Sequence, residues 1–264
     1  MIVSKLQSGL ANRLKCVASS MRLDSDVEIL WYKNVVPPYE KEEVKFTDYF
    51  VGLKECKPSE LESKYHRECW RLFVFDYDLP ENFSFIENQK LRYEYGVTFT
   101  PPANEGKCID FEYERIPENV KREYIPIFQK LKSCVNPKIN LIVQDFSKNF
   151  DQNTVSVHIR TWCDSPERNS TYHSIDKYIE IMNEYPNNKF FVCSDSIETI
   201  DYLKNVFGED RIITYSHVEE NIDCFVELLL LSKNNFLIGS PISTFSEVAW
   251  WFSECKSTVK IAWK

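Results

Sequence analysis

Apolar positions along this chain fall into two regimes. In the C-terminal half, short apolar runs alternate with stretches of helical period. VSVHIR (155–160), KFFVCS (189–194), RIITY (211–215), NFLIGS (235–240) and TVKIAW (258–263) read as strands, and 174–184, 196–207, 221–233 and 244–253 as the helices between them. Strands this short and apolar, interleaved with helices, predict a parallel sheet covered on both faces. The N-terminal half is less regular. MIVSKL (1–6) and DVEILWY (26–32) read as strands around a helix over 10–22, where Leu10, Leu14, Val17, Ala18 and Met21 share one face and Arg13 and Cys16 lie off it. From 37 to 113 the pattern is broken by Pro37-Pro38 and Pro101-Pro102, and RLFVF (71–75) is its clearest strand. Residues 117–149 read as two helical pieces divided at Pro137, with Pro117 in the first turn and a kink expected at Pro126. The expectation is two α/β units, 1–137 and 138–264, the second better defined.

Composition narrows the function classes. A hydrophobic content of 43% and an aromatic content of 14% exclude wholesale disorder. A formal charge of −8 argues against general nucleic-acid binding, which needs cationic faces to release counterions. An anionic ligand must therefore be met by a few placed cations. The apolar run around 228–231 is far short of a bilayer span, and the N-terminus lacks a basic segment followed by an apolar signal core. Nine cysteines form no CxxC pair and are odd in number, which fits reduced thiols and a cytoplasmic location. His66-x-x-Cys69 has no second pair to complete a metal site.

In open α/β sheets ligands bind beyond the carboxyl ends of the strands, so the residues there come first. The strand 155–160 alternates Val155, Val157 and Ile159 with Ser156, His158 and Arg160. Arg160 offers a planar cationic fork suited to phosphate oxygens, or else pairs with a carboxylate, with His158 a hydrogen-bonded core residue. Asp195 follows the strand 189–194 and either accepts from a nucleobase or ribose or caps the next helix. After 235–239 comes GSPISTFSEVAWW, where Gly239 permits a close turn. Ser243 or Thr244 can cap a helix whose N-terminal N–H groups suit a pyrophosphate. Trp250 and Trp251, inside that helix, read as core.

The ordered set SGLANRL, VSVHIR, FFVCSDS and ELLLLSKNNFLIGSPISTFSE resembles the GT-B fucosyltransferases that use GDP-fucose: the α1,6- and α1,2-enzymes and the protein O-fucosyltransferases. The resemblance runs over most of the chain. It implies two Rossmann-like domains facing across a cleft, an acceptor-side domain over 1–137 and a nucleotide-sugar domain over 138–264. It implies a metal-independent, inverting transfer to a glycan or other hydroxyl acceptor, with no cofactor beyond the donor. Arg160 would bind the β-phosphate and stabilise the leaving GDP, and His158 would help hold the nucleotide. Asp195 would contact base or ribose, and Ser243, Thr244 and the backbone through Phe245 would hold the pyrophosphate. Gly9, Asn12 and Arg13 would close the donor site from the N-terminal domain. Ser8 stands where the family has a first glycine. Cys163 stands where it often has an aspartate, with Asp164 one residue later. The chain is short for this fold, which fits a minimal enzyme or a piece of a longer polypeptide.

Two rival readings come from the residues themselves. FVFDYDLP places Asp76 and Asp78 after a strand, where they could hold a divalent cation in a GT-A-type transferase. Trp31, Trp70 or Trp162 could stack on a sugar in a non-catalytic binding module.

Overall fold

A computed structural model describes residues 2–5, 9–23, 25–31, 45–56, 67–69, 118–217, 220–241 and 243–264. The expected strand 71–75, Asp76, Asp78, His66, Trp70, Ser8 and both proline pairs lie outside the described residues. The chain divides into two compact units, Met1–Asn136 and Pro137–Lys264.

The first unit is built on a parallel sheet of β1 (Ile2–Lys5), β2 (Glu28–Leu30), β3 (Lys54–Glu55) and β4 (Arg67–Cys69), in the order β3-β2-β1-β4. Val3 lies opposite Glu28 on one side and Glu68 on the other. Helix α1 (Leu10–Leu23) follows β1 and buries Leu14, Val17, Ala18 and Met21 as the helical period predicts. The buried face is wider than that stripe: Lys15, Cys16 and Ser20 are also buried, so Cys16 belongs to the core. The Ser20 hydroxyl donates to the carbonyl of Cys16 one turn back, which satisfies it inside the helix. A short helix α2 (Phe46–Tyr49) carries Phe46 and Tyr49 into an aromatic cluster with Trp31 and Phe50. Helix α3 (Glu118–Ser133) contains Pro126, buries Tyr124, Phe128 and Leu131, and packs on α1.

The second unit carries a five-stranded, all-parallel sheet in the order β7-β6-β5-β8-β9. Its strands are β5 (Val155–Ile159), β6 (Phe190–Ser194), β7 (Ile212–Ile213), β8 (Phe236–Gly239) and β9 (Thr258–Ile261). Helices α4 (Pro137–Phe146), α5 (Pro166–Tyr172), α6 (Ile175–Asn183), α7 (Ile197–Phe207), α8 (Glu220–Leu231) and α9 (Thr244–Phe252) connect and cover it. One face packs Val155, Val157, Ile159, Phe190 and Val192 against Tyr178, Met182 and Leu203.

The polar alternation in β5 does not mark a solvated face, because all five residues of the strand are buried. Its polar side chains instead anchor the helices over them. The Ser156 hydroxyl donates to the carbonyl of Leu231, an otherwise orphaned acceptor in the last turn of α8, at 2.8 Å. Trp250 and Trp251 are buried in α9, as expected. The seven cysteines whose side chains are described are free thiols. Among the described residues no helix is long and apolar enough to cross a membrane.

Candidate functional site

The strand order of the second unit contains one reversal. From β5 the chain moves outward through β6 and β7, then returns to pair β8 on the other side of β5. The loops after β5 and β8 therefore leave in opposite directions, the arrangement at whose carboxyl ends open parallel sheets form a ligand crevice. The ladder between these strands pairs Ser156 with Leu237 and Val157 with Ile238 and goes no further.

Arg160 stands at the end of β5 with both sides of its fork engaged. One terminal nitrogen donates to Asp195 Oδ2 at 2.5 Å, and the other to both carboxylate oxygens of Asp164 at 3.0 Å. Asp195 also accepts from the backbone N–H of Thr161 at 2.7 Å. It is thus not the cap of α7: the Ser196 hydroxyl takes that role, accepting from the N–H of Thr199. Of the two readings open for Arg160, pairing with carboxylates is the one the structure holds. Paired this way, the guanidinium is held in one orientation at the mouth of the crevice.

The turn after Arg160 is strained and polar. Trp162 adopts φ 56°, a left-handed conformation that costs a non-glycine residue roughly 1–3 kcal/mol. Its ring lies 5.1 Å from the guanidinium carbons of both Arg160 and Arg168, within cation–π range. Thr161 Oγ1, Trp162 Nε1 and His173 Nδ1 are buried with no hydrogen-bond partner among the described residues. That concentration of unsatisfied polar atoms is unusual for a folded core.

Across the crevice, α9 begins at Ser243, the N-cap, whose side chain makes no capping bond. The first turn of α9 directs N–H groups outside the helix ladder, where the helix dipole favours an anion. His158 connects the two sides. Its Nδ1 is 2.8 Å from Ser246 Oγ, and its ring stacks on Phe245 at 4.9 Å. Burial lowers its pKa to about 4, with Asp195 raising it and Arg160 lowering it, so the imidazole is neutral near pH 7. Gly239 is required by close approach: a Cβ there would lie 2.9 Å from Ile261 Cδ1 and 3.2 Å from Ser246 Oγ.

The structure thus brings His158, Arg160 and Asp195 together with the start of α9, which carries Ser243, Thr244 and Phe245. Gly9, Asn12 and Arg13 belong to the other unit. Gly9 precedes α1 and accepts from the N–H of Arg13; a Cβ on it would meet nothing within 4 Å. Arg13 lies 4.8 Å over the Trp31 ring, and burial lowers its pKa. Tyr178, Ser240 and Ser246 were not found from the sequence, whereas Asp164 and Trp162 were noted there in other roles. Ser246 was within the quoted TFSE, and the serines around Gly239 were the signal that could have found it. Among the described residues, no group of three or more His, Cys, Asp or Glu side chains could hold a metal ion.

No protein-family model matches the sequence, and no curated protein matches it. Solved structures do. The fucosyltransferase NodZ from Bradyrhizobium aligns over 94% of this chain and 91% of its own at a TM-score of 0.56 and 16% identity. The NodZ α-1,6-fucosyltransferase soaked with GDP-fucose aligns over 95% and 91% at 0.56 and 14%. POFUT1 in complex with GDP aligns over 98% of both chains at 0.53 and 16%. These structural neighbours are GDP-fucose fucosyltransferases, and the α/β fold with parallel sheets that this chain adopts is theirs.

Proposed function

We propose that this protein is a glycosyltransferase that moves a sugar, fucose from GDP-fucose, to a hydroxyl acceptor such as a glycan. The observation that carries this reading is the convergence of polar groups at the carboxyl ends of β5, β6 and β8. Arg160, Asp195 and the N-terminus of α9 meet at the one reversal of a parallel sheet, in a fold shared with enzymes solved with GDP and GDP-fucose. Those groups suit a nucleoside diphosphate, and the unsatisfied polar atoms of Thr161, Trp162 and His173, on either side of α5, suit a ligand bearing hydroxyls.

In the transfer, the acceptor oxygen bonds to the anomeric carbon as the bond from that carbon to the diphosphate breaks. The acceptor proton leaves to a base, and the bonding electrons leave with the diphosphate. Negative charge then grows on the departing oxygen. Arg160 and the N–H groups that open α9 oppose that growth from fixed positions, which is where preorganised charge is most effective. His158, neutral and stacked on Phe245, contributes position rather than charge. Inversion at the anomeric carbon and independence of a metal ion complete the proposal. The segment 37–113 is assigned to the acceptor.

A thermal-shift panel of nucleotides tests the donor, since a ligand that binds only the folded state raises the unfolding temperature. GDP and GDP-fucose should stabilise the protein and UDP-sugars should not; the reverse pattern overturns the assignment. Arg160→Ala should lower turnover by roughly 10²–10³-fold, by analogy with loss of one preorganised donor.

A further inference from the structure

A serine hydroxyl has one hydrogen to give and two lone pairs to fill. Ser240, just beyond β8, uses all three. Its Oγ donates to the carbonyl of His158 at 2.8 Å. It accepts from the backbone N–H of Arg160 at 2.6 Å. The Tyr178 hydroxyl lies 2.7 Å away, and because the serine proton is committed to His158, Tyr178 is the donor. Ser240 is fully buried, and Tyr178 is one of the largest fully buried side chains.

The position of these bonds gives them a purpose. The ladder between β5 and β8 stops at Val157 and Ile238, and the strands part to open the crevice. Beyond that point the N–H of Arg160 has lost its neighbouring strand, and a side chain takes the place of the missing backbone acceptor. The same hydroxyl ties down the carbonyl of His158 two residues earlier. One serine therefore fixes both ends of the His158–Arg160 segment on the side where β8 has parted, while β6 still pairs with His158 and Ile159 on the other.

We propose that Ser240 is a positioning residue for Arg160: it sets where the guanidinium stands for the donor diphosphate, with Tyr178 holding Ser240 in turn. With every bond of its hydroxyl spent inside the protein, Ser240 does not itself touch the ligand. This separates it from Ser243 and Thr244, assigned above to the pyrophosphate. The inference rests on the donor-binding reading of the crevice.

Calorimetric titration of the full chain with GDP and with guanosine tests it, through a cycle of Ser240→Ala, Arg160→Ala and the double variant. Removing the hydroxyl should weaken GDP binding by roughly ten-fold or more, in line with the cost of misplacing a site group by about an ångström. Guanosine binding should fall by clearly less, since it has no phosphate for Arg160 to meet and Asp195, assigned to base or ribose, keeps its bond from the N–H of Thr161. The double variant should bind GDP little more weakly than Arg160→Ala alone, because the larger part of the Ser240 effect passes through Arg160. Additive losses, an equal loss for guanosine, or unchanged GDP binding in Ser240→Ala would each overturn the inference. Should Ser240→Ala fail to fold, Tyr178→Phe keeps the ring and removes only the hydroxyl that donates to Ser240. A loss of about two-fold or more, selective for GDP, is then expected, and no selective loss rejects the proposal. If the unaltered protein binds no GDP, or Arg160→Ala binds it as well as the unaltered protein, the donor reading itself fails.

Discussion

The imidazole of His158 sits between the hydroxyl of Ser246 and the ring of Phe245, and burial draws its pKa from 6.5 to about 4. The folded state thus resists a proton that the unfolded chain accepts. Stability from this residue is complete above the unfolded value near 6.5 and is lost as the pH falls toward 4. A depression of this size corresponds to about 3 kcal/mol at the acid end. Urea unfolding of the protein and of His158→Gln at pH 7 and pH 4.5 measures it. The variant should lose less stability across the interval, and equal losses would contradict the buried neutral imidazole. At this scale the strand-end residues His158, Arg160 and Asp195 were legible, because a strand followed by a helix fixes which residue stands at the carboxyl end. Their partners were not. Ser240 and Ser246 lie 80 and 88 residues from the atoms they bind, and Tyr178 lies 62 from Ser240. Local pattern carries no information about such pairings. Cys16 escaped for another reason: α1 is covered on more than one side, so the apolar stripe understated the buried face.

Elements were legible where one apolar face or run was strong. The strands β5, β6, β8 and β9 each fall within one residue of their expected starts, and α1 ends one residue later than expected. Helix α5 was missed because PERNSTY has a single buried residue, Tyr172, and hence no apolar period to detect; Pro166 in its first turn is its one local signal. Of the RIITY segment only Ile212 and Ile213 pair, with Phe190 and Phe191 of β6 at the edge of the sheet. The junction of β8 with α9 shows how tightly elements meet at the crevice. Gly239 leaves room for the side chain of Ile261 from β9 and for Ser246 from the first turn of α9. Gly239→Ala must push one of them away. Ile261 can move its terminal methyl, but Ser246 is held by His158 and by the N–H of Ser240. The variant should lose about 1–3 kcal/mol, the usual cost of overpacking. In a chain of this size that lowers the unfolding temperature by roughly 2–4 °C for each kcal/mol. GDP binding should weaken with it, because the displaced Ser246 no longer orients His158. Scanning calorimetry with and without GDP checks both effects; an unchanged unfolding temperature would show that the junction has slack.

At the scale of the whole molecule, the contacts divide the chain between Asn136 and Pro137, one residue before the division read from sequence. The second unit has a sheet of its own and a core of its own, in which Val157, Ile159, Tyr178, Phe190 and Ile238 are fully buried. It also holds every group assigned above to the diphosphate. Within it Arg160 is bonded to Asp195, and His158 to Ser246 in the first turn of α9. A unit with its own core is expected to fold alone. The fragment 137–264 should therefore unfold cooperatively and bind GDP, and should transfer no sugar, because the segment assigned to the acceptor lies in the first unit. Affinity should fall relative to the full chain to the extent that Gly9, Asn12 and Arg13 contribute to donor binding. Residues 137–264 carry 12 Lys and Arg against 18 Asp and Glu and so give no general attraction for an anion. The binding that survives must come from the placed groups at the strand ends. Urea unfolding and GDP titration of the fragment, beside the same fragment carrying Arg160→Ala, decide the matter. A cooperative fragment whose GDP affinity depends on Arg160 places the diphosphate in the second unit. A folded fragment with no affinity, beside a full chain that binds, would move essential donor contacts into the first.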